Sequence, residues 1–407
     1  MCPGTRQRGT FLERKAVIHS RMLSSLPVFM YHSVSRQSGR LALSPELLDE
    51  QCRYLKIQGW RGISLEEAEN CLLRGKKIPR KACLLSFDDG YLDNYVYAEP
   101  VLRAYGHHGV IFPVVDLLED RQGLLPNQDD LTEHPELATQ LGDLHTPVIA
   151  FRSRHRVRNI RFCNWQELRR MRENGVMDAA PHSLGHARVI SGLEFTDFFK
   201  NQGRRGFFAV SPYAPPWGMP MFPTEHALAT RGYIVNPALF KLVREIVPQT
   251  NKEAGAFLNE PAQRDMLLKA IKGLPSLGRR ETEEEFRTRL AAEFTACRER
   301  FAANLGVTPV SFCWPWGDYC QESIEEAEEA GFRLLFCTSK TFGRYRQARP
   351  VRRVAVRFHT TPQVMLRKAR LLSCKPIGVI YRKIAQLVSN GAFRAKKKPL
   401  SPPPKAS

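Results

Sequence analysis

Seven short, mostly apolar, strand-like runs, at residues 26–32, 82–87, 110–115, 176–180, 309–314, 332–338 and 352–358, alternate with segments whose apolar residues recur at three- and four-residue steps. Short uninterrupted apolar runs are the pattern of strands buried on both faces, and helix-period segments between them supply the crossovers that a parallel sheet needs. This alternation constrains the chain to an α/β fold.

Two of the intervening helices are marked at their starts. Ser44-Pro45 offers an N-cap and a first-turn proline before a face of Leu48, Cys52 and Leu55. Thr282 and Glu285 form a capping-box pattern, and behind them Phe286, Leu290, Phe294, Cys297, Phe301 and Leu305 fall on one helix face, which is read as core. Residues 119–162 and 187–280 interrupt the alternation. The first holds Arg152, Arg154, His155, Arg156, Arg158 and Arg161, and the second holds SPYAPPWGMPMFP. Connections of that length in a compact domain are usually lids or binding loops.

Composition matters here mainly for what it excludes. With 407 residues, 43% of them hydrophobic, the chain can bury a full core and disorder is not expected. Ten cysteines without a CxxC pair suit neither a zinc module nor a small disulfide scaffold, and are read as reduced thiols in a cytosolic protein. There is no apolar run long enough to span a membrane, and the basic N-terminus lacks an apolar stretch of signal-peptide type, so residues 1–21 are read as a flexible leader, with Met22 as an alternative start. The net charge of +20 is concentrated: 18 Lys and Arg and no acidic residue follow Ser339, leaving 43 basic against 41 acidic residues before it.

The chemistry gathers in three motifs. Leu84-Leu85-Ser86-Phe87 ends on Asp88-Asp89-Gly90, which puts two carboxylates at the carboxyl end of a strand, where α/β active sites collect. Asp-Asp-Gly is also ordinary turn chemistry, and that reading stays open on this segment alone. Pro181-His182-Ser183-Leu184-Gly185-His186 follows another strand end, and two imidazoles with a carboxylate can hold a divalent metal with positions left open. In Phe312-Cys-Trp-Pro-Trp-Gly317, Trp314 and Trp316 read either as walls of a sugar pocket or as core.

SFDDGYLDNY, PHSLGHARV and SFCWPWGDY, preceded by VFMYHSV, resemble the NodB-homology polysaccharide deacetylases, nearest the poly-N-acetylglucosamine deacetylase branch, from about Leu26 to His359. The resemblance implies a distorted (β/α) barrel of about seven parallel strands over residues 22–362, with two long insertions. It implies Asp89, His182 and His186 as ligands of a divalent metal, Zn²⁺ first and Co²⁺, Ni²⁺ or Mn²⁺ as alternatives, with Asp88 as base. The family's late histidine maps to His359 as the acid, and Trp314, Pro315, Trp316, Gly317 and His32 are candidates for the substrate mouth. One departure stands out: Cys313 occupies the position of an arginine that pairs with the catalytic aspartate in much of the family, which leaves open what tunes Asp88.

The implied reaction is removal of N-acetyl groups from an amino sugar in a polysaccharide, lipopolysaccharide or lipid-linked glycan. A catalytically impaired sugar-binding relative and an enzyme acting on another amide of a lipid-linked sugar are the alternatives. Residues 363–407 form a basic tail in which Ile377, Ile380, Ile384, Leu387 and Val388 share a helical stripe, a pattern suited to an anionic membrane surface or to packing on the barrel. The expected location is the cytoplasm, at the inner face of the membrane. With few aromatics in the tail and no recognised binding motif, nucleic acid is not an expected partner.

Overall fold

The computed structural model describes residues 24–36, 41–142, 144, 161–199, 215–338 and 350–380. The leader at 1–21, the basic cluster from Arg152 to Arg158, the start of the proline-aromatic segment and the tail beyond residue 380 lie outside them.

All seven apolar runs form strands: β1 (Val28–Tyr31), β2 (Ala82–Asp89), β3 (Gly109–Pro113), β4 (Met177–Ala179), β5 (Ser311–Cys313), β6 (Leu334–Thr338) and β7 (Val351–Ala355). Every pairing is parallel, in the spatial order β5-β6-β7-β1-β2-β3-β4. A two-residue strand, Arg61–Gly62, pairs with the start of β2 and was too short to leave a sequence pattern. Alternation along β2 separates two cores. Ala82 and Leu84 face inward with Val28, Val110, Phe112, Leu334 and Phe336. Cys83, Leu85 and Phe87 face outward, onto a helical layer that includes Leu48, Cys52 and Leu55.

The sheet curls until its edges nearly meet. At the carboxyl end the Cys313 N–H, on β5, donates to the carbonyl of Pro181, just past β4 (3.0 Å). At the other end the helix Leu65–Leu72 fills the gap. Its Leu65 N–H donates to Asp178 of β4 (2.7 Å), and its Glu69 accepts from the Ser311 hydroxyl of β5 (2.7 Å). One helix thus ties both edges and plugs the barrel with Leu65 and Ala68.

The marked helices form as their caps direct. Ser44 accepts from Leu47 N–H (3.1 Å) before Pro45–Ile57. Thr282 and Glu285 complete their capping box before Glu283–Leu305, whose Phe286, Leu290, Phe294, Cys297, Phe301 and Leu305 are all buried. The second insertion carries a core of its own, with Phe198, Phe199, Trp217, Met219, Leu239, Val243, Leu258 and Ile271 among its members. Its antiparallel hairpin, Arg188–Ile190 with Thr224–His226, returns to the mouth of the barrel.

The domain boundary drawn at residue 362 falls one helix early. Pro362–Leu372 buries Met365, Leu366, Ala369 and Leu372, and Met365 Sδ accepts from the Tyr31 hydroxyl (3.3 Å). The helix therefore belongs to the barrel's outer layer. Residues 375–380 continue in helix with Ile377 and Ile380 exposed, and among the described residues no helix is long and apolar enough to cross a membrane.

Candidate active site

Strand pleat alone would turn Asp88 and Asp89 to opposite sides. Asp88 points inward and is 2% exposed, while Asp89 adopts a left-handed backbone (φ 74°) that swings its carboxylate over the strand end, so both face one mouth. Gly90 (φ 82°) follows, and a Cβ there would meet Pro113 at 2.7 Å. Ser183, His186 and Trp316 also have positive φ, so four of the five such non-glycine residues among those described lie at this mouth. Each costs roughly 1–3 kcal/mol, which the surrounding fold must offset.

The histidine loop is held from several sides. The His182 N–H donates to Pro113 (2.9 Å), Val115 N–H donates to Ser183, and Asp116 N–H donates to Leu184. From the long helix, the Glu293 carboxylate accepts from Leu184 N–H (2.6 Å), and its burial pushes that carboxyl up despite the bond. His182 Nδ1 lies 2.9 Å from the Cys313 carbonyl, a contact that fixes Nδ1 as the donor and leaves Nε2 with its lone pair.

Three donor atoms then converge. Asp89 Oδ1 is 3.7 Å from both His182 Nε2 and His186 Nε2, and all three lie within 4.8 Å of one another. Four-coordinate zinc places its nitrogen and oxygen donors about 3.4 Å apart, so a contraction of a few tenths of an ångström would close this set on an ion. Burial also pushes both imidazoles below their ordinary value, against the pull of Asp89, and neutral imidazole is the ligand state. Asp89 Oδ2 accepts from the Tyr91 hydroxyl (2.9 Å), whose ring stacks on Phe162 at 5.3 Å. Burial and the neighbouring Asp89 keep that phenol protonated. The donor set fits a divalent metal held by Asp89, His182 and His186.

Asp88 has a different environment. Both its oxygens accept from Arg353 of β7, at 2.5 and 2.7 Å, and the guanidinium is fully buried. Burial alone would raise the Asp88 carboxyl; the Arg353 charge, joined by His182, holds it well below the usual carboxylate range. Arg353 stays charged for the converse reason, its burial being outweighed by Asp88. The role left vacant by Cys313 is thus filled from another strand. The Cys313 thiol sits 4.0 Å from Asp88, fully buried and pushed up, and stays protonated. Arg353 was missed in the sequence although a charged residue at inward parity within Val351-Arg-Arg-Val-Ala355 is a signal that was there to read.

The remaining candidates separate. His32 Nε2 lies 4.0 Å from Asp88 Oδ2 at the end of β1, and its carbonyl accepts from Asn94 (2.8 Å). Asp93, which accepts from Ser33 (2.5 Å) and Asn94 (2.8 Å), anchors the same loop. Burial, opposed by the Ser33 and Val34 hydrogen bonds, pushes its carboxyl up to about 7. His359 is exposed in the turn after β7, where its ring packs edge-on to Phe358 rather than reaching the aspartates. The reading of Trp314 as a pocket wall is corrected: it is 0% exposed, packed edge-on to Phe294 and Phe312, because parity after inward Cys313 turns it outward into the core. Pro315 and Gly317 are buried as well, and a Cβ on Gly317 would lie 2.4 Å from Thr338 N. Trp316 alone of the four stands at the mouth, its ring centroid 3.9 Å from that of His186 and 4.1 Å from that of His226.

Comparison with known proteins places similar chains beside this one. Residues 75–202 match the family model described as polysaccharide deacetylase. A Bacillus subtilis (strain 168) protein named for the same family, YxkH, is 31% identical over 123 residues, covering 30% of this chain and 44% of that protein. The poly-β-1,6-N-acetyl-D-glucosamine N-deacetylase of Escherichia coli K12 is 20% identical over 319 residues, covering 78% of this chain and 34% of that one. The chain therefore spans less than half the length of these relatives. A de-N-acetylase structure from Aggregatibacter actinomycetemcomitans superposes with a TM-score of 0.52 at 18% identity, over 84% of this chain and 98% of that one, a likeness of fold.

Proposed function

We propose that this chain, whose residues 75–202 match the polysaccharide deacetylase family model, is a metal-dependent hydrolase that removes N-acetyl groups from an amino sugar within a glycan. The observation that carries this reading is the division of labour between neighbours. Asp89 turns one oxygen to two neutral imidazoles, while Asp88, one residue away, is ionised and held by Arg353.

A divalent ion bound by Asp89, His182 and His186 would polarise the amide carbonyl and lower the pKa of a water beside it; zinc suits the donor set best, with Co²⁺, Ni²⁺ and Mn²⁺ as alternatives. Asp88 accepts the proton of the attacking water. Arg353 holds the Asp88 carboxylate in place and keeps it charged at any working pH. His32, across the mouth from Asp88, is the donor to the departing amine. We assign it this role in place of His359, since a proton donor must reach the reacting nitrogen and His359 faces solvent. The Arg353–Asp88 pair also favours an active enzyme over a catalytically impaired sugar-binding relative.

The test is acetate release from N-acetylglucosamine oligomers, before and after chelation and again after metal is restored. Release that chelation abolishes and metal returns supports the proposal; release indifferent to chelation refutes its metal dependence, and no release from any N-acetylated glycan refutes the activity.

For location, we propose peripheral attachment to an anionic membrane from the cytoplasmic side. Exposed Ile377 and Ile380, within a segment 375–407 that carries eight basic residues and no acidic one, support it. So do the cysteines, nine of which are free among the described residues.

A further inference from the structure

The second insertion brings a histidine to the mouth that the chemistry above does not use. His226 ends the hairpin strand Thr224–His226, and its ring lies parallel to the Trp316 indole, 4.1 Å away at 7°. His186 packs on the same indole at 3.9 Å. Only His226 stacks on the indole; His186 meets it at a tilt of 57°. Among the described residues the donors that converge with Asp89 are His182 and His186, and His226 is not one of them.

The indole face under His226 is therefore covered by that ring, and the groups beside it are polar and aimed. His226 Nδ1 is hydrogen-bonded to the Asp318 carboxylate, which makes Nδ1 the donor and Nε2 an acceptor. Among the described residues Nε2 has no hydrogen-bond partner, and the side chains of His226 and Asp318 are 18% and 39% exposed. Beside them, in register with His226 across the hairpin, Arg188 holds its guanidinium 5.6 Å from the Trp316 centroid. Its Nε and Nη2 donate to the hydroxyl and carbonyl of Thr224, at 2.9 and 2.5 Å, and among the described residues Nη1 has no hydrogen-bond partner.

We propose that His226, oriented by Asp318, and Arg188 form a subsite for a second pyranose of the glycan, next to the one whose acetamide is cleaved; this rests on the deacetylase reading. Neighbouring hydroxyls on a sugar ring each donate and accept. A ring-nitrogen acceptor alongside a guanidinium donor, both fixed by their own partners, matches that pattern with little ordering left to be lost on binding. The subsite belongs to the insertion, so it selects chains over single sugars without altering the metal set.

The test measures binding and needs no turnover. In an Asp88→Asn background, affinities for an N-acetylglucosamine pentamer and for N-acetylglucosamine are measured by calorimetry, then compared with His226→Phe, His226→Gln and Arg188→Met in the same background. Phenylalanine keeps an aromatic ring on Trp316 but removes Nε2. It should weaken the pentamer about tenfold, the worth of one well-placed hydrogen bond, and the single sugar less than about twofold. Arg188→Met should act in the same direction, and glutamine, which can return an acceptor near Nε2, should recover part of the loss. Equal losses on both ligands, an unchanged pentamer affinity in His226→Phe, or a parent with no preference for the pentamer would each overturn the subsite. Failure of the deacetylase reading shows separately, as absence of acetate release from the chain with Asp88 intact.

Discussion

Arg353→Met leaves a carboxylate buried at the centre of the barrel without its partner. The side chains of Arg353 and Asp88 are 0% and 3% exposed, and the pair makes two hydrogen bonds. Removing one partner from such a pair costs about 3–5 kcal/mol, most of it from stranding the other charge. The cost must depend on pH. In the parent the Asp88 carboxyl lies below its unfolded value, so the pair's stabilisation is complete above about pH 4 and fades as pH falls further. In the variant burial acts unopposed by Arg353 and raises the carboxyl, so the penalty is small below about pH 4 and grows as pH rises through the new value. The stability gap should therefore be widest near neutrality and narrow in acid. Adding Asp88→Asn removes the stranded charge and should return stability to within about 1–2 kcal/mol of the parent. Urea unfolding of the four proteins at about pH 4.5 and 7.5, followed by circular dichroism, measures both effects. A gap that stays constant with pH, or a double variant no better than Arg353→Met, would refute the assignment of Arg353 as the partner that keeps Asp88 charged.

Other expectations follow from the same geometry. Asp93, with its carboxyl raised to about 7, lowers the stability of the parent progressively between about pH 4 and 7, and Asp93→Asn should flatten that slope in urea midpoints across the range. Glu293→Gln alters the carboxyl that accepts from the Leu184 N–H and should weaken metal binding by about 10–100-fold in a competition with a chromogenic chelator, with little change in fold. Trp314→Ala should cost about 3–5 kcal/mol in unfolding experiments as a core truncation. Deleting residues 375–407, rather than cutting at 362, should keep the fold while abolishing salt-sensitive sedimentation with anionic liposomes; persistence of sedimentation would rule out the tail as the membrane contact.

Much of the fold was legible because most of the strands, β1, β2, β3, β5 and β6 above all, are buried on both faces and so stand out as apolar runs. The ladders stop one to three residues short of several runs, as at Ser311–Cys313 within 309–314, because apolar residues continue past the last paired one. The long helix was legible down to each buried position, since one capping box fixes its start and one face meets the core. Strand parity carries more than the apolar pattern at two places. It sends Cys313 inward and Trp314 outward, and it sends Arg353 inward beside β1, in the register that pairs Val354 with Phe29. The aspartates and histidines were found as motifs. That both aspartates share one mouth could not be read from sequence, since it depends on the positive φ at Asp89, which strand periodicity does not encode. His226 and Asp318 lie 92 positions apart and meet only because the insertion folds back onto the barrel.

The central claim is that adjacent aspartates do different work, Asp89 holding the metal and Asp88 taking the proton. The most direct measurement is metal content together with acetate release for Asp88→Asn and Asp89→Asn. Asp88→Asn should keep its metal and lose at least about a hundredfold in turnover, while Asp89→Asn should lose the metal itself. Loss of metal from Asp88→Asn with retention in Asp89→Asn would reverse the two roles, and near-parental acetate release from Asp88→Asn would contradict the account.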